Sequence, residues 1–175
     1  MVKPFQIARI PSLTFGPGSR KKVVSLTGRF GKNVLLVTGS AFLRRSGFLD
    51  EIETALTKEA FHIAHYSVKG EPSPSLIDQI VHDSIPFRPK VVVAIGGGSV
   101  LDTGKAISAM LPLKETVMHY LEGVGTKQHP GKKIPFIAIP TTAGTGSEAT
   151  KNAVLSEVGE KGFKKSLRHD NFVPD

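Results

Sequence analysis

Short apolar runs alternate with longer amphipathic stretches through the middle of the chain. Runs rich in Val, Ile and Leu predict β-strands at residues 34–38, 61–66, 91–95 and 134–139. Between them, apolar residues at helical spacing predict helices at residues 41–60, from Ser75 onward and at residues 100–111, with Ser40 as the N-cap of the first. Strands that are apolar at nearly every position are buried on both faces, so the pattern predicts an α/β fold with a mostly parallel sheet flanked by helices.

The two ends of the chain have a different pattern. Residues 5–10 and 13–15 predict edge strands, and residues 153–155 and 163–167 predict a hairpin or flap. No low-complexity linker interrupts the sequence, so we interpret residues 1–175 as one domain. Residues 172–175 do not resemble a closing helix, and we expect the natural protein to continue beyond them.

Composition narrows the class of protein without defining it. Lys and Arg number 23 against 15 Asp and Glu, which gives a net charge of +8, but the basic residues are dispersed in pairs. Dispersed charge favours a solvated surface over a nucleic-acid interface, and a basic cleft also suits a phosphorylated cofactor. The absence of cysteine is compatible with a reducing compartment, and no apolar run approaches the roughly 20 residues that span a bilayer. We therefore expect a cytoplasmic protein that binds neither membranes nor nucleic acids.

The first candidate site is a glycine run at the end of the third predicted strand. Gly96, Gly97 and Gly98 precede Ser99 and a predicted helix. Glycines allow unusual dihedral angles and the close approach of a ligand, and the N-terminus of a helix attracts phosphate. The alternative is a tight strand-to-helix turn in which Ser99 and Asp102 have capping-box spacing. The run alone does not decide between these interpretations, although its spacing excludes a P-loop.

Two further polar segments follow predicted strands and are expected at the same edge of the sheet. Residues 140–150 contain four threonines and a serine, whose hydroxyl groups both donate and accept hydrogen bonds. Gly39 and Ser40 stand where a dinucleotide site often places a carboxylate for the adenosine ribose. Ligands of open α/β sheets bind along the carboxyl edge, so these segments together favour a nucleotide site over separate turns and caps. The six histidines are scattered, and we interpret them as ordinary structural residues rather than metal ligands.

Taken together, residues 96–105 (GGGSVLDTGK) and 140–148 (PTTAGTGSE) resemble the iron-containing (group III) alcohol dehydrogenase family. The segments at 15–19 and 163–167 are similar as well, so the resemblance covers nearly the whole chain. It implies an amino-terminal, Rossmann-like dinucleotide-binding domain that binds NADP or NAD. The residues that it assigns to the cofactor are Gly39, Ser40, Gly96, Gly97, Gly98, Ser99, Asp102, Thr141, Thr142, Thr145 and Lys165.

The resemblance also implies a separate role for each part of that set. Residues 97–99 hold the pyrophosphate, the three threonines contact the pyrophosphate and the nicotinamide side, and Asp102 faces the nicotinamide region. Lys165 matches a lysine that reaches the nicotinamide ribose, with Lys164 as a competing alignment. Many NAD-using members carry Asp at the position of Gly39, so its absence here implies that NADP is used or tolerated.

Members of the family further contain an all-helical domain, which supplies one Asp and three His ligands to a divalent metal, usually iron and in some members zinc. No residue of this sequence is assigned to that set, so we expect the ligands beyond Asp175 and weak or no turnover from residues 1–175 alone. The implied reaction interconverts an alcohol and an aldehyde or ketone in a homodimer or higher oligomer. The alternatives left open are a glycerol dehydrogenase, a dehydroquinate-synthase-like lyase, a non-catalytic nucleotide-binding module and a basic nucleic-acid-binding domain.

Overall fold

Four parallel strands form the central sheet of the protein. The computed structural model describes residues 4, 9–39, 42–160 and 162–175. The strands lie in the order β2–β1–β3–β4, and their bounds are β1 (Asn33–Gly39), β2 (His62–Val68), β3 (Val91–Gly96) and β4 (Phe136–Pro140). The helices are α1 (Val23–Gly28), α2 (Phe42–Arg45), α3 (Phe48–Lys58), α4 (Pro74–Ser84) and α5 (Gly98–Met110), and 3-10 turns occupy Ser19–Lys22, Val117–Tyr120 and Asp170–Phe172. The predicted α/β fold with a mostly parallel sheet is confirmed.

Both faces of the sheet are buried, because successive residues of a strand point to opposite sides. In β1, Leu35 packs in the cluster that contains α4 and α5, whereas Leu36 packs in the cluster that contains α3. Both leucines are fully buried. This explains why the central strands are apolar at every position instead of alternating with polar residues.

The chain reverses the direction of its strand order at β1. From β1 it crosses to β2 through α3 on one face, and it then returns through α4 on the other face to place β3 on the opposite side of β1. In an open α/β sheet such a reversal leaves a crevice outside the carboxyl ends of the two adjacent strands, and ligands bind there. The segments after β1 and β3 therefore flank the crevice that the topology creates.

All three predicted helices differ from the structure at their boundaries, and the one predicted at residues 100–111 begins two residues earlier, at Gly98. The predicted helix at residues 41–60 is divided into α2 and α3, because Gly47 adopts a φ of 71° immediately before α3 and no helix passes through that conformation. The helix predicted from Ser75 begins at Pro74, and the Ser73 hydroxyl accepts the hydrogen bond from the Leu76 N–H at 3.2 Å. A proline at the first helical position, preceded by a capping serine, is a favoured start. Ser40, the predicted N-cap of the first helix, lies outside the described residues.

The predicted hairpin at residues 153–167 is confirmed, whereas the predicted edge strand at residues 13–15 is wrong. Strands β5 (Asn152–Glu157) and β6 (Phe163–Arg168) pair antiparallel, and buried residues of both pack against α5. Leu13 and Phe15 are 78% and 93% exposed, and residues 13–15 form no strand. The neighbouring prediction at residues 5–10 falls mostly outside the described residues.

None of the helices that the structure describes is both long enough and apolar enough to cross a membrane.

Candidate functional site

The glycine turn, residues 96–98, and the threonine loop, residues 141–151, meet at the carboxyl edge of the sheet. Gly96 pairs with Pro140 at the ends of β3 and β4, and the Thr141 N–H donates to the Gly96 carbonyl oxygen at 2.9 Å. The expectation that both segments share one edge is thereby confirmed. The two segments lie side by side as the two walls of one candidate surface beside the crevice between β1 and β3, with Thr142 next to Gly97 and Thr145 next to Gly98.

The three glycines of the turn are required for close approach and not for unusual dihedral angles. None of them has a positive φ, so that part of the sequence-based explanation is wrong. A Cβ on Gly96 would lie 2.7 Å from the Val100 Cβ, which is a steric clash within the start of α5. A Cβ on Gly98 would lie 3.2 Å from the Thr145 Cβ, whereas one on Gly97 would lie 3.4 Å from the Thr142 Oγ1. The turn and the threonine loop thus approach each other closely where side chains are absent.

Helix α5 begins at the turn without a side-chain cap. Gly97 is its N-cap residue, and the N–H groups of Val100 and Leu101 both donate to the Gly97 carbonyl oxygen. The predicted capping box between Ser99 and Asp102 is wrong, because Ser99 lies inside the first turn and Asp102 binds elsewhere. Among residues 9–39, 42–160 and 162–175, the N–H groups of Gly98 and Ser99 find no hydrogen-bond acceptor. They remain available to an anion at the positive end of the helix dipole.

The threonine loop places hydroxyl groups opposite these N–H donors. Thr142 lies next to Gly97 and Thr145 lies next to Gly98, and both threonines are exposed to solvent, as is Thr141. The chain reverses its direction at Gly144 and Gly146, and Gly146 has a φ of 70°. This conformation brings the loop over the start of α5 and creates a surface rich in hydrogen-bonding groups.

Asp102 lies behind this surface rather than on it. It is 8% exposed, and its Oδ2 accepts a hydrogen bond from the Val154 N–H at 3.2 Å. Burial raises the pKa of the Asp102 carboxyl, and the Val154 N–H and the nearby Ser147 hydroxyl oppose that rise. The carboxylate therefore holds the start of the β5–β6 hairpin, and its implied place near the nicotinamide stays a prediction.

Lys105 ends the motif at residues 96–105 that carries the resemblance, but the sequence analysis gave it no role. Its side chain is 1% exposed, and its Nζ donates to the carbonyl oxygens of Ser147, Thr150 and Asn152 at 2.7, 2.6 and 2.9 Å. Burial lowers the pKa of Lys105 to about 8, and the carboxylates of Asp102 and Glu148 oppose that fall. A lysine inside an otherwise buried helix, three residues after an aspartate, is the sequence signal for such a group.

Lys164 and Lys165 lie on opposite faces of β6, because they are adjacent in one strand. Lys164 Nζ donates to Glu71 Oε1 at 2.6 Å, and its charge is the smallest of the influences that oppose the burial-driven rise in the pKa of Asp102. Lys165 Nζ faces Gly123 instead, 3.3 Å from the position of a Cβ on that residue. Which of the two lysines reaches the cofactor stays a prediction.

Gly39 ends β1 at the crevice. A Cβ on Gly39 would lie 3.5 Å from the Val100 Cγ2, an ordinary contact. The side chains of Arg44 and Arg45 in the following helix α2 are exposed. The chain thus carries two exposed basic residues shortly after β1 and no carboxylate at position 39. Ser40, the neighbouring predicted site residue, is outside the described part of the chain.

The structure also contains an open cleft of about 510 Å³ along β4. Its walls come from residues 11–16, helix α1 and the β4 side chains Ile137 and Ile139, and it reaches Thr141 and Glu148 but not the glycine turn. This cleft is mainly apolar and lacks the N–H donors of the α5 N-terminus. It therefore adjoins the threonine loop of the candidate surface but does not include the glycine turn.

Within the described residues, no three His, Asp or Glu side chains are close enough together to hold a metal ion. The buried His129 has both ring nitrogens occupied, since Nδ1 accepts from the Gly131 N–H at 3.0 Å and Nε2 lies 3.1 Å from the Ala109 carbonyl oxygen. The residues present therefore do not fit a catalytic metal, and we derive no chemical step through one.

The strand order and the crevice define an open, doubly wound α/β domain. A sequence profile of the family described as "Iron-containing alcohol dehydrogenase" matches residues 11–175. The chain belongs to this family.

Individual relatives agree with this assignment. The "Long-chain primary alcohol dehydrogenase AdhA" of Thermoanaerobacter ethanolicus is 33% identical over 177 residues, which cover 98% of this chain and 44% of that protein. The "NADPH-dependent butanol dehydrogenase" of Clostridium saccharobutylicum is 28% identical over 92% of this chain and 41% of its own length. The crystal structure of sulfoacetaldehyde reductase from Bifidobacterium kashiwanohense in complex with NAD+ superimposes with a TM-score of 0.84 at 26% identity, covering 98% of this chain and 45% of that one. The chain thus spans less than half the length of these relatives.

Proposed function

We propose that residues 1–175 form the dinucleotide-binding domain of an NAD(P)-dependent alcohol dehydrogenase. The observation that carries the proposal is the pair of N–H donors at Gly98 and Ser99, which lies opposite the hydroxyl groups of Thr142 and Thr145. A pyrophosphate needs several converging donors and close access to the backbone, and the absent side chains of the glycine turn provide that access. The nicotinamide cofactor of relatives supplies the hydride chemistry, and the protein supplies binding and orientation.

Each site residue has a role in this proposal. The glycine turn and Ser99 bind the pyrophosphate through backbone N–H groups, and Thr141, Thr142 and Thr145 bind along the pyrophosphate toward the nicotinamide. Asp102 holds the hairpin that closes this side of the surface. For the nicotinamide ribose the resemblance gives Lys165 with Lys164 as the competing alignment, and we propose Lys164 because its charge acts on Asp102. Gly39 leaves room beside the adenosine ribose at the crevice.

The proposal includes a preference for NADP over NAD. A carboxylate at position 39 would repel the 2′-phosphate of NADP and would bind the ribose hydroxyls of NAD. This chain has Gly39 at that position, and the exposed Arg44 and Arg45 follow in α2. Relatives of both kinds are known, since the name of the butanol dehydrogenase of Clostridium saccharobutylicum specifies NADPH and the sulfoacetaldehyde reductase structure contains NAD+, so the preference rests on position 39.

The substrate that we propose is a small alcohol, with the corresponding aldehyde or ketone as product, in a cytoplasmic homodimer or higher oligomer. Because the described residues do not fit a catalytic metal, we assign this chain the cofactor step only. We therefore expect residues 1–175 alone to bind the dinucleotide and to have weak or no turnover.

The experiment is a titration of the 175-residue chain with NADPH and with NADH, followed by nicotinamide fluorescence. Binding of both, with tighter binding of NADPH, supports the proposal. With a net charge of +8, the main competing function is nucleic-acid binding, so a labelled DNA duplex is titrated in parallel at two salt concentrations. Absence of dinucleotide binding together with salt-sensitive DNA binding would contradict the proposal.

A further inference from the structure

The threonine loop has no regular secondary structure, although it forms one wall of the proposed site. At its start, the Thr141 N–H is fixed to Gly96 by the continuation of the sheet. Within it, one backbone hydrogen bond joins the Ala149 N–H to the Gly146 carbonyl oxygen at 2.9 Å, and at its end the Lys151 carbonyl oxygen accepts from the His169 N–H at 3.3 Å. Three backbone hydrogen bonds do not by themselves fix a loop of this length, so its conformation depends on further contacts with another part of the fold.

Lys105 makes those contacts. A lysine ammonium group has three N–H donors, and three backbone carbonyl oxygens at the end of the loop and the start of β5 lie within 2.9 Å of Nζ. The Thr150 Oγ1 also lies near the same nitrogen, at 3.3 Å. Hydrogen bonds from a charged donor are stronger than those between neutral groups, and burial strengthens them further.

Asp102 completes this arrangement one helical turn earlier on α5. Its carboxylate accepts the Val154 N–H, so the cation of the pair binds carbonyl oxygens and the anion binds an N–H of the same returning segment. The N-terminus of α5 also carries the N–H groups of Gly98 and Ser99. One helix therefore fixes both walls of the candidate surface relative to each other.

We propose that Lys105 is a positioning residue whose ammonium group clasps the backbone of residues 147–152 and holds the threonine loop against the glycine turn. Core packing does not explain a lysine here, because an aliphatic side chain would fill a buried helix position without the cost of burying a charge. The consequence of the clasp for cofactor affinity rests on the proposed function, whereas the clasp itself does not.

The test compares Lys105→Met, which keeps the length of the side chain and removes its donors, with the wild type. Lys32→Met is the matched control, because Lys32 Nζ also donates to a backbone carbonyl oxygen, that of Glu59 at 2.6 Å, far from the threonine loop in sequence. Amide hydrogen exchange of Ala149 and Val154 reports on the clasped segment, the amides of β1 and β3 report on the sheet, and NADPH titration reports on the site. All measurements are made well below the melting temperature of each variant.

In Lys105→Met we expect exchange at Ala149 and Val154 to accelerate by about tenfold or more while β1 and β3 stay protected, since each lost bond to a charged group is worth at least a factor of ten. We expect the Kd for NADPH to rise by about tenfold, and neither quantity to change in Lys32→Met. Unchanged exchange, or acceleration that is uniform over the whole sheet, would overturn the clasp. If the loop loosens but the Kd is unchanged, Lys105 does not position the site, and the proposed function stands. If the wild type binds no dinucleotide, the proposed function fails, and the exchange data still decide the clasp.

A second measurement does not depend on the folding of Lys105→Met. In the wild type at mildly acidic pH, the clasp predicts one lysine ¹⁵Nζ resonance whose protons exchange slowly with water. The assignment is made with Lys105→Arg, in which that resonance disappears. A wild-type spectrum without any protected lysine Nζ would contradict the clasp.

Discussion

The two walls of the proposed site are built in different ways. The glycine turn joins a fully buried strand directly to a buried helix, so its shape follows from regular structure on either side. The threonine loop is exposed and irregular, and its anchor, Lys105, is 42 to 47 residues away from the carbonyl groups that it binds. A ligand site on one sheet edge thus combines a wall fixed by local sequence with a wall fixed by long-range contacts.

The largest effect is expected on protein stability, at Gly104 in α5, the helix that follows the glycine turn. A Cβ on Gly104 would lie 2.6 Å from the Ala94 Cβ and 2.8 Å from the Phe136 Cε2, so α5 packs on the sheet at this residue without room for a side chain. We predict that Gly104→Val destabilises the protein by about 3 kcal/mol, because overpacking displaces the helix. Thermal and denaturant unfolding measure the change. An unchanged melting temperature would show that α5 is not held as closely as the structure indicates.

A pH titration of stability examines the anchor of the other wall. Burial lowers the pKa of Lys105 to about 8 in the folded chain, whereas an unfolded lysine titrates near 10.4. Between these values the unfolded chain binds more protons, so the contribution of Lys105 to stability increases as the pH rises. We predict that the free energy of unfolding of the wild type, relative to Lys105→Met, rises by about 1–3 kcal/mol from pH 8 to pH 10. A difference that stays constant or falls over this range would contradict the lowered pKa of Lys105.

The contrast between the walls also explains which features are predictable from the sequence. The four strands, the sheet edge and the hairpin follow from runs of apolar residues and from turn residues, which act locally. The reason for the glycines was not predictable, because the contacts of Gly96 and Gly98 depend on where Val100 and Thr145 lie in three dimensions. The break at Gly47 was missed because the apolar spacing continues on both sides of it. The lysine within an apolar helix is visible in the sequence, but the role of Lys105 was not predictable because its partners are distant backbone carbonyl groups.

A smaller effect is expected at the crevice, where substitution of Gly39 should change the ratio of NADPH affinity to NADH affinity. Gly39→Asp fits sterically, because its Cβ makes only an ordinary contact with Val100. We predict that it lowers the ratio of NADPH affinity to NADH affinity by about tenfold to a hundredfold, as expected for a carboxylate that repels the 2′-phosphate and binds the ribose. Gly39→Asn, which has the same shape without the charge, is the control. An equal shift in both variants would assign the effect to size rather than charge.

The smallest predicted effect distinguishes the two adjacent lysines of β6. We predict that Lys164→Met weakens dinucleotide binding about threefold to fivefold, since exposed charges contribute up to about 1 kcal/mol. Lys165→Met should leave binding unchanged, because its Nζ faces Gly123. Fluorescence titration of both variants measures the difference. The reverse result would favour the alignment that assigns the ribose contact to Lys165.

The central claim is that the glycine turn and the threonine loop bind a dinucleotide between them, and Gly97→Val tests it most directly. Gly97 has an extended backbone, with φ −77° and ψ −177°, that valine adopts without strain. The added side chain would fill the space beside Thr142. Gly28→Val is the control, since a Cβ on Gly28 makes an ordinary contact with Phe61 in another part of the fold. The account predicts that Gly97→Val raises the Kd for NADPH by about a hundredfold or more, roughly 2.7 kcal/mol, while Gly28→Val binds like the wild type and both variants stay folded. An unchanged affinity in folded Gly97→Val would contradict the account.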